Sequence, residues 1–322
     1  MSTNIAHKRF VFSKRRLINF ISFMVSIAYG LFIVYSLRLQ YSLGSGDIAS
    51  YIFYFEITPN NADAVVVSGD YAFRIAIFAL TDLLEIPVID ILSYLAFITS
   101  SIISYLFLSS IRSEKSLIYL IPLIVMIFFT PNVQTLFSSG IRSGVAFTFL
   151  MIGFVLFKGV FRYVFFLIAS IIHLSMLPMI GFYIFFNFLN HKRVDSPILL
   201  SLFLLMATSF IMAFVASSIF FVGWVASSLA YNLMLLYLAT LIIFINKKIL
   251  KDQYGFLAAG LMLIYLSGLI IDASFIRYIG NAIIFYLFFL INRGNIETIR
   301  IFTVAYIPFF LLTLSYSISN VT

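Results

Sequence analysis

Blocks of apolar residues, separated by short polar or charged turns, fill most of the chain. As helices, most blocks approach the roughly 30 Å of hydrocarbon in a bilayer, since each residue adds about 1.5 Å. The pattern predicts apolar helices at residues 17–37, 86–110, 116–130, 133–157, 162–189, 197–222, 229–246, 255–271, 275–292 and 301–317. We therefore expect an all-α polytopic integral membrane protein with about nine to eleven transmembrane helices.

Composition supports this fold class. Of 322 residues, 63% are hydrophobic and 10% are charged. The chain has no cysteine, which excludes thiol nucleophiles and cysteine metal sites. No linker or repeat divides it, so we expect a single transmembrane domain over 1–322 with an external acidic loop at 38–85.

The distribution of Lys and Arg predicts the orientation. The basic cluster at 8–16 favours a cytoplasmic N-terminus, which places the 38–85 loop outside. If the apolar segment 162–189 were one crossing, seven later Lys and Arg residues would lie on the outer face. If it enters the membrane and returns, all seven are cytoplasmic.

A hinge for such a return lies in the middle of that segment. His173 is followed by Pro178 and Gly181, and proline breaks or kinks a helix. A broken or re-entrant element needs protein or water around its free backbone groups, so we expect a hydrated, outward-opening pocket with His173 near its floor. The alternative is two thin complete spans, with His173 at the external edge.

Two arginines interrupt apolar segments at similar predicted depths. Arg142 and Arg277 each lie about 16 residues from the cytoplasmic end of their segments, roughly 24 Å of helical rise. Asp272 lies further out than Arg277, and Asp47 belongs to the external loop. These charges predict one outward-facing site.

The residues around Arg142 are small. Gly140, Ser143 and Gly144 let a ligand or another helix approach closely. Ordinary helix packing explains the same pattern, and a single arginine near a helix end also snorkels to the interface. His173 likewise has an alternative role as a hydrogen-bonded core histidine.

Arginine, histidine and carboxylates together favour phosphate chemistry. The planar arginine fork binds phosphate and stabilises a pyrophosphate leaving group, while a histidine or carboxylate accepts a proton from a hydroxyl. The sequence contains no P-loop, GxSxG, HExxH or Cys/His metal pattern. We expect no metal and no cofactor.

Two stretches carry a family resemblance. "SSGIRSGVAFTFLMIGFVLF" is followed, after the basic turn "KGVFRY", by "VFFLIASIIHLSMLPMIGFYIF". The order resembles the signature of the EpsG/Wzy-type polysaccharide polymerases. Arg142, Gly144 and Ala146 match its first element, and His173 and Ser175 match its second.

Further positions are similar less specifically. "FIRY" around Arg277 and "GDIASYIFYF" around Asp47 also resemble family positions. Ser143 stands where many relatives carry glutamine, so a glutamine role does not carry over to this chain.

The resemblance implies an inverting glycosyltransferase that joins repeat units carried on undecaprenyl pyrophosphate, building O-antigen, capsule or exopolysaccharide. The implied catalytic residues are Arg142 and Arg277 for the pyrophosphate and His173 as base or positioning group, with Asp47 or Asp272 as the alternative base. The expected substrate-binding residues are Gly140, Ser143, Gly144, Ser175, Arg74 and Tyr278.

The resemblance also implies a place in the cell. We expect a multi-pass protein of the bacterial cytoplasmic (inner) membrane, with its active site facing the periplasm or cell exterior. Its expected partners are the lipid-linked oligosaccharide substrate and membrane lipid, without nucleic acid. Whether a chain-length regulator binds is left open.

Three other functions compete with polymerisation. A lipid-linked oligosaccharide flippase also needs arginines in a hydrated cavity, but the inner halves of these segments carry few charges. A membrane O-acyltransferase needs a cytoplasmic acyl donor, whereas His173 is predicted toward the outside. A purely structural membrane subunit does not explain two arginines at matched predicted depth.

Overall fold

The structure is a computed structural model in which every regular element is a helix, over the residues that it describes. These are residues 2–44, 71–111, 114–138, 140–191, 229–244, 248–270 and 277–319, with the single residues 48, 52, 206, 209 and 211. The all-α prediction is confirmed for this part of the chain. Asp47, Asp272 and most of the predicted helix at 197–222 lie outside the described residues.

The chain divides into two compact units, and each takes two separate stretches of sequence. Unit 1 comprises Met1–Arg112 and Thr135–Met176. Unit 2 comprises Ser113–Gln134 and Leu177–Thr322. The single transmembrane domain stays a prediction.

The helices are numbered in chain order. Those before the first unit boundary are α1 (Ser2–Ser42), α2 (Tyr71–Leu84) and α3 (Val88–Ser110). The next four are α4 (Glu114–Phe128), α5 (Pro131–Phe137), α6 (Ile141–Leu156) and α7 (Val160–Ile172). A 3-10 turn at Leu174–Met176 leads into the remaining helices, α8 (Leu177–His191), α9 (Leu229–Phe244), α10 (Gln253–Ile270), α11 (Arg277–Arg293) and α12 (Ile296–Ser319).

Unit 1 is built on an antiparallel pair, α1 and α3. Gly30 of α1 lies directly against Phe97 and Ser101 of α3, so small residues bring the two helices close. Near the other end of the contact, Arg38 forms an ion pair with Asp90 in the first turn of α3. The C-terminal end of α1 therefore lies beside the N-terminal end of α3.

Unit 2 has its core in α10 and α11, whose side chains are buried along most of both helices. Gly260 of α10 packs on the ring of Phe182 from α8, where an added Cβ would lie 2.9 Å from ring carbons. Arg293 and Asp252 form an ion pair at 3.4 Å, so the end of α11 meets the start of α10. The bases near 251 and 293 thus share one end of unit 2, and their cytoplasmic location stays a prediction.

Fewer helices than expected are long enough to cross a membrane. Within the described residues, three helical stretches have the length and apolar character of a span: 16–42, 88–110 and 296–315. A fourth is obtained if the bent pair α4 and α5 makes one crossing, and five further apolar helical stretches within the described residues have 10–17 residues. The structure thus supports an all-helical protein with three to four candidate spans, and nine to eleven crossings stay a prediction.

Two boundaries differ from the sequence prediction. The segment 133–157 is not one helix, because the chain leaves the helix between Phe137 and Ile141, at Ser138 and Gly140. Part of the predicted 38–85 loop is helical, since α2 occupies Tyr71–Leu84. Its apolar residues recur at helical spacing, a signal that the acidic composition of the loop masked.

The predicted break at His173 is confirmed. Helix α7 ends at Ile172, His173 is extended with φ −154° and ψ 113°, and α8 begins at Leu177. Pro178 explains why no helix runs through: it has no N–H to donate to the carbonyl of Leu174. The pocket and the re-entrant path remain predictions.

Candidate functional site

Arg142 lies in the first turn of α6, whereas the sequence predicted a continuous helix through it at 133–157. The helix begins at Ile141 and has Gly140 as its N-cap, which supplies no side-chain hydrogen bond. The first N–H groups of a helix lack partners within it and carry a partial positive charge. Half-buried Arg142 brings a full positive charge to the same end.

The small residues around Arg142 build the break before α6. The Gly140 N–H donates to the Thr135 carbonyl at 2.6 Å, closing the end of α5. A Cβ added to Gly144 would lie 2.5 Å from the Leu136 carbonyl oxygen and 3.1 Å from Phe137. Of the two roles considered for Gly144, the structure thus shows the packing one.

His173 lies at the other break in unit 1. It follows α7 as the C-cap, its N–H donates to the Ala169 carbonyl at 2.9 Å, and it is 6% exposed. Its carbonyl accepts from the Met176 N–H at 3.0 Å, which forms the 3-10 turn. Ser175 within that turn is also buried.

Arg142 and His173 lie at the same end of one helical hairpin. Helices α6 and α7 are joined by three residues and pack along their lengths, with Phe154 and Phe166 ring centroids 4.7 Å apart. In this antiparallel pair α6 also contacts the 3-10 turn after His173. Arg142 is 14 residues before Leu156, and His173 is 13 residues after Val160. At about 1.5 Å per residue, Arg142 and His173 therefore each lie roughly 20 Å from the joint.

The opposite end of the hairpin carries Arg162, which caps α6. Its Nε donates to the carbonyls of Phe157 at 3.1 Å and Gly153 at 3.2 Å. Its Nη2 donates to the carbonyls of Phe157 at 2.9 Å and Phe154 at 3.4 Å. The charge pattern of the sequence predicts only a topology signal at Arg162, so this cap was not predicted.

Contacts with α1 identify which end of unit 1 carries Arg142. The Gln40 side chain donates from Nε2 to the Ser138 Oγ at 3.5 Å, just before α6. Gln40 is two residues beyond Arg38, the partner of Asp90. Arg142 thus shares an end with the C-terminus of α1, which the distribution of bases predicts to be outside.

Arg277 belongs to unit 2, where α11 begins with it. Tyr278 beside it is 3% exposed, so its ring is part of the packed interior. A Cβ on Gly280 would lie 2.6 Å from the Asn132 carbonyl, which brings the first turn of α11 against the bend between α4 and α5. Asn281, one turn after Arg277, is 2% exposed and was not predicted.

The remaining predicted residues divide between the two groups. Arg74 is half-buried on α2, which packs against α3 and α7 within unit 1. Ser143 is half-buried in the first turn of α6. In the part of the chain that the structure describes, no three His, Asp or Glu side chains come together as metal ligands.

No family model, curated protein or solved structure matches the chain. The resemblance to EpsG/Wzy-type polymerases stays a prediction based on Arg142, Gly144, Ala146, His173 and Ser175. The case for a function therefore depends on the geometry around these residues.

Proposed function

We propose that the chain is a membrane glycosyltransferase that polymerises undecaprenyl-pyrophosphate-linked repeat units at the outer face of the bacterial cytoplasmic membrane. The growing chain is the donor and a single lipid-linked unit is the acceptor. One observation carries the proposal: Arg142 and His173 lie at the same end of the α6–α7 hairpin. Transfer from a lipid pyrophosphate requires a phosphate-binding cation and a proton acceptor on the same side of the membrane, and this arrangement places one of each at a common end.

The position of Arg142 supports the binding of an anion. A cation at a helix N-terminus is repelled by the helix dipole, whereas an anion there is attracted. Placing arginine in this turn is favourable when a phosphate accepts from both the guanidinium and the backbone N–H groups. Arg162 supplies the favourable cation at the C-terminal end of the same helix.

In the proposed step, the acceptor hydroxyl oxygen attacks the anomeric carbon of the donor sugar. A new carbon–oxygen bond forms on one face while the bond to pyrophosphate breaks on the other, which inverts the configuration. The bonding electrons leave with the pyrophosphate, where Arg142 stabilises the charge. The hydroxyl proton passes to His173, or to Asp47 as the alternative base.

The test is the chain length of surface polysaccharide in cells that lack the protein and receive variants of its gene. Arg142→Ala is expected to lower chain growth on the order of 10²-fold or more, since it removes a leaving-group partner. Arg38→Ala is the matched control, because Arg38 lies at the same end of unit 1 in an exposed ion pair with Asp90. Such exposed pairs contribute at most about 1 kcal/mol.

The outcomes separate the competing functions. Glycans that stop at one repeat unit in the null and Arg142→Ala strains, with long chains in the wild-type and Arg38→Ala strains, support the polymerase. Loss of all surface units in the null strain indicates a flippase. Unchanged chain lengths in the null strain contradict both and favour an acyltransferase or a structural subunit.

A further inference from the structure

Arg162 makes specific hydrogen bonds to the end of α6, which a residue that only sets membrane topology would not need to make. Its guanidinium donates four hydrogen bonds to the carbonyls of Gly153, Phe154 and Phe157, at 2.9–3.4 Å. Gly153 and Phe154 belong to the last turn of α6, whose carbonyls have no partners further along the helix. Arg162 itself belongs to the first turn of α7, so this one side chain ties the two helices together.

We infer that Arg162 is a positioning residue for the Arg142–His173 site. It holds α6 and α7 in one register and at one angle where they join, and thereby sets the separation of Arg142 and His173 at the far end. Its effect on activity rests on the proposed function, but its effect on the hairpin does not.

Because α6 and α7 are long, a small change of angle at their joint produces a large displacement at their far ends. Both arms extend roughly 20 Å from the joint, so a change of about 10° in their angle moves the far ends roughly 3.5 Å apart. Misplacing a reacting group by about 1 Å costs on the order of 10²-fold in rate. A distortion at Arg162 therefore has a large effect on a site that Arg162 does not touch.

The rest of the joint is a turn that needs a clamp. Gly159 has φ +62°, where a glycine relieves strain, and an added Cβ would meet no atom within 4 Å. Contacts along the pair begin just beyond it: Phe157 and Phe165 ring centroids lie 4.6 Å apart, and a Cβ on Gly153 would lie 3.0 Å from that of Phe165. Apolar contacts of this kind permit sliding, whereas the hydrogen bonds of Arg162 have defined acceptors.

The experiment compares Arg162→Ala and Arg162→Lys with Lys158→Ala. Lys158 has the same charge, lies in the same joint and is exposed, so it is the matched control for topology. Because the chain has no cysteine, Ser143→Cys and Ile171→Cys together accept a pair of spin labels without background. Their separation, measured by pulsed electron resonance in the full chain, reports the far end of the hairpin. Chain growth is measured in unlabelled strains at matched protein levels.

We expect Arg162→Ala to broaden or shift the label separation and to lower chain growth at least tenfold. Arg162→Lys, which keeps the charge but not the planar fork, is expected to lie between it and the wild type, and Lys158→Ala to match the wild type. Equal effects of Arg162→Ala and Lys158→Ala, or a label separation that Arg162→Ala leaves unchanged, would overturn the inference. If the null strain makes normal polymer, the proposed function fails while the label separation still decides this inference.

Discussion

Asn281 is a polar side chain in the interior of unit 2. It is 2% exposed, and its Oδ1 has no hydrogen-bond partner in the described part of the chain. A buried polar atom without a partner costs about 1–3 kcal/mol. Asn281→Leu is therefore expected to raise the free energy of unfolding by about 1 kcal/mol, measured by thermal unfolding in detergent.

Thr313→Val provides the comparison for Asn281. Thr313 is equally buried in unit 2, but its Oγ1 already donates to the Phe309 carbonyl at 2.9 Å. We expect no stabilisation from this change, because no unsatisfied group is removed. A loss of stability in Asn281→Leu would contradict the prediction and would indicate that the Asn281 amide is hydrogen-bonded in the folded protein.

At the residue scale, Arg142 and His173 were predicted from the sequence, but their place at one end of a helical hairpin was not. An arginine among small residues and a histidine before a proline are visible in the sequence. The carbonyls that Arg162 caps are not, because the cap depends on where α6 ends and on the turn at Gly159. A basic residue within six positions after a predicted helix end is a weak signal for such a cap.

The break between α5 and α6 depends on close backbone contact at Gly144. A Cβ there would lie 2.5 Å from the Leu136 carbonyl, which is backbone and moves only with the helix. Gly144→Ala is expected to destabilise unit 1 by about 1–3 kcal/mol, as overpacking does. The change should also move the first turn of α6 and, under the proposed function, shorten the polysaccharide chains.

Ser143→Ala is the control for Gly144, since it changes a half-buried neighbour in the same turn without adding bulk. Thermal unfolding of both variants in detergent measures the difference. Gly144→Ala with a stability equal to that of Ser143→Ala would show that α5 and α6 have room between them.

Helices were predictable where an apolar run ends at a charge or a proline. Helix α3 at Val88–Ser110 and α11 at Arg277–Arg293 agree with the predicted 86–110 and 275–292 within two residues. The break at Gly140 was missed because apolar residues continue on both sides of it, and only local backbone hydrogen bonds distinguish two helices from one. Helix α2 was missed for a different reason: its apolar residues lie within a stretch whose acidic composition indicates a loop.

At the scale of the whole molecule, the predicted orientation in the membrane can be tested by labelling two positions. Ser42 at the end of α1 lies near Arg38 and the start of α6, whereas Lys158 lies at the joint of α6 and α7. Charge distribution predicts these two positions on opposite sides of the membrane, with Ser42 outside. In intact cells an impermeant maleimide should label Ser42→Cys, and label Lys158→Cys only after permeabilisation.

Because the chain has no native cysteine, all maleimide labelling of the protein comes from the introduced cysteine. Protection of Ser42→Cys together with labelling of Lys158→Cys in intact cells would reverse the predicted orientation. Labelling of both would show that the α6–α7 hairpin does not cross the membrane.

The interleaving of the two units determines the order in which the protein can assemble during synthesis. Unit 1 has all its residues once Met176 has left the ribosome, whereas α4 was made earlier and belongs to unit 2. Thr130, just after α4, forms its buried hydrogen bond with Tyr306, 176 residues later in the chain. Helix α4 therefore cannot complete its contacts within unit 2 until Tyr306 has been translated.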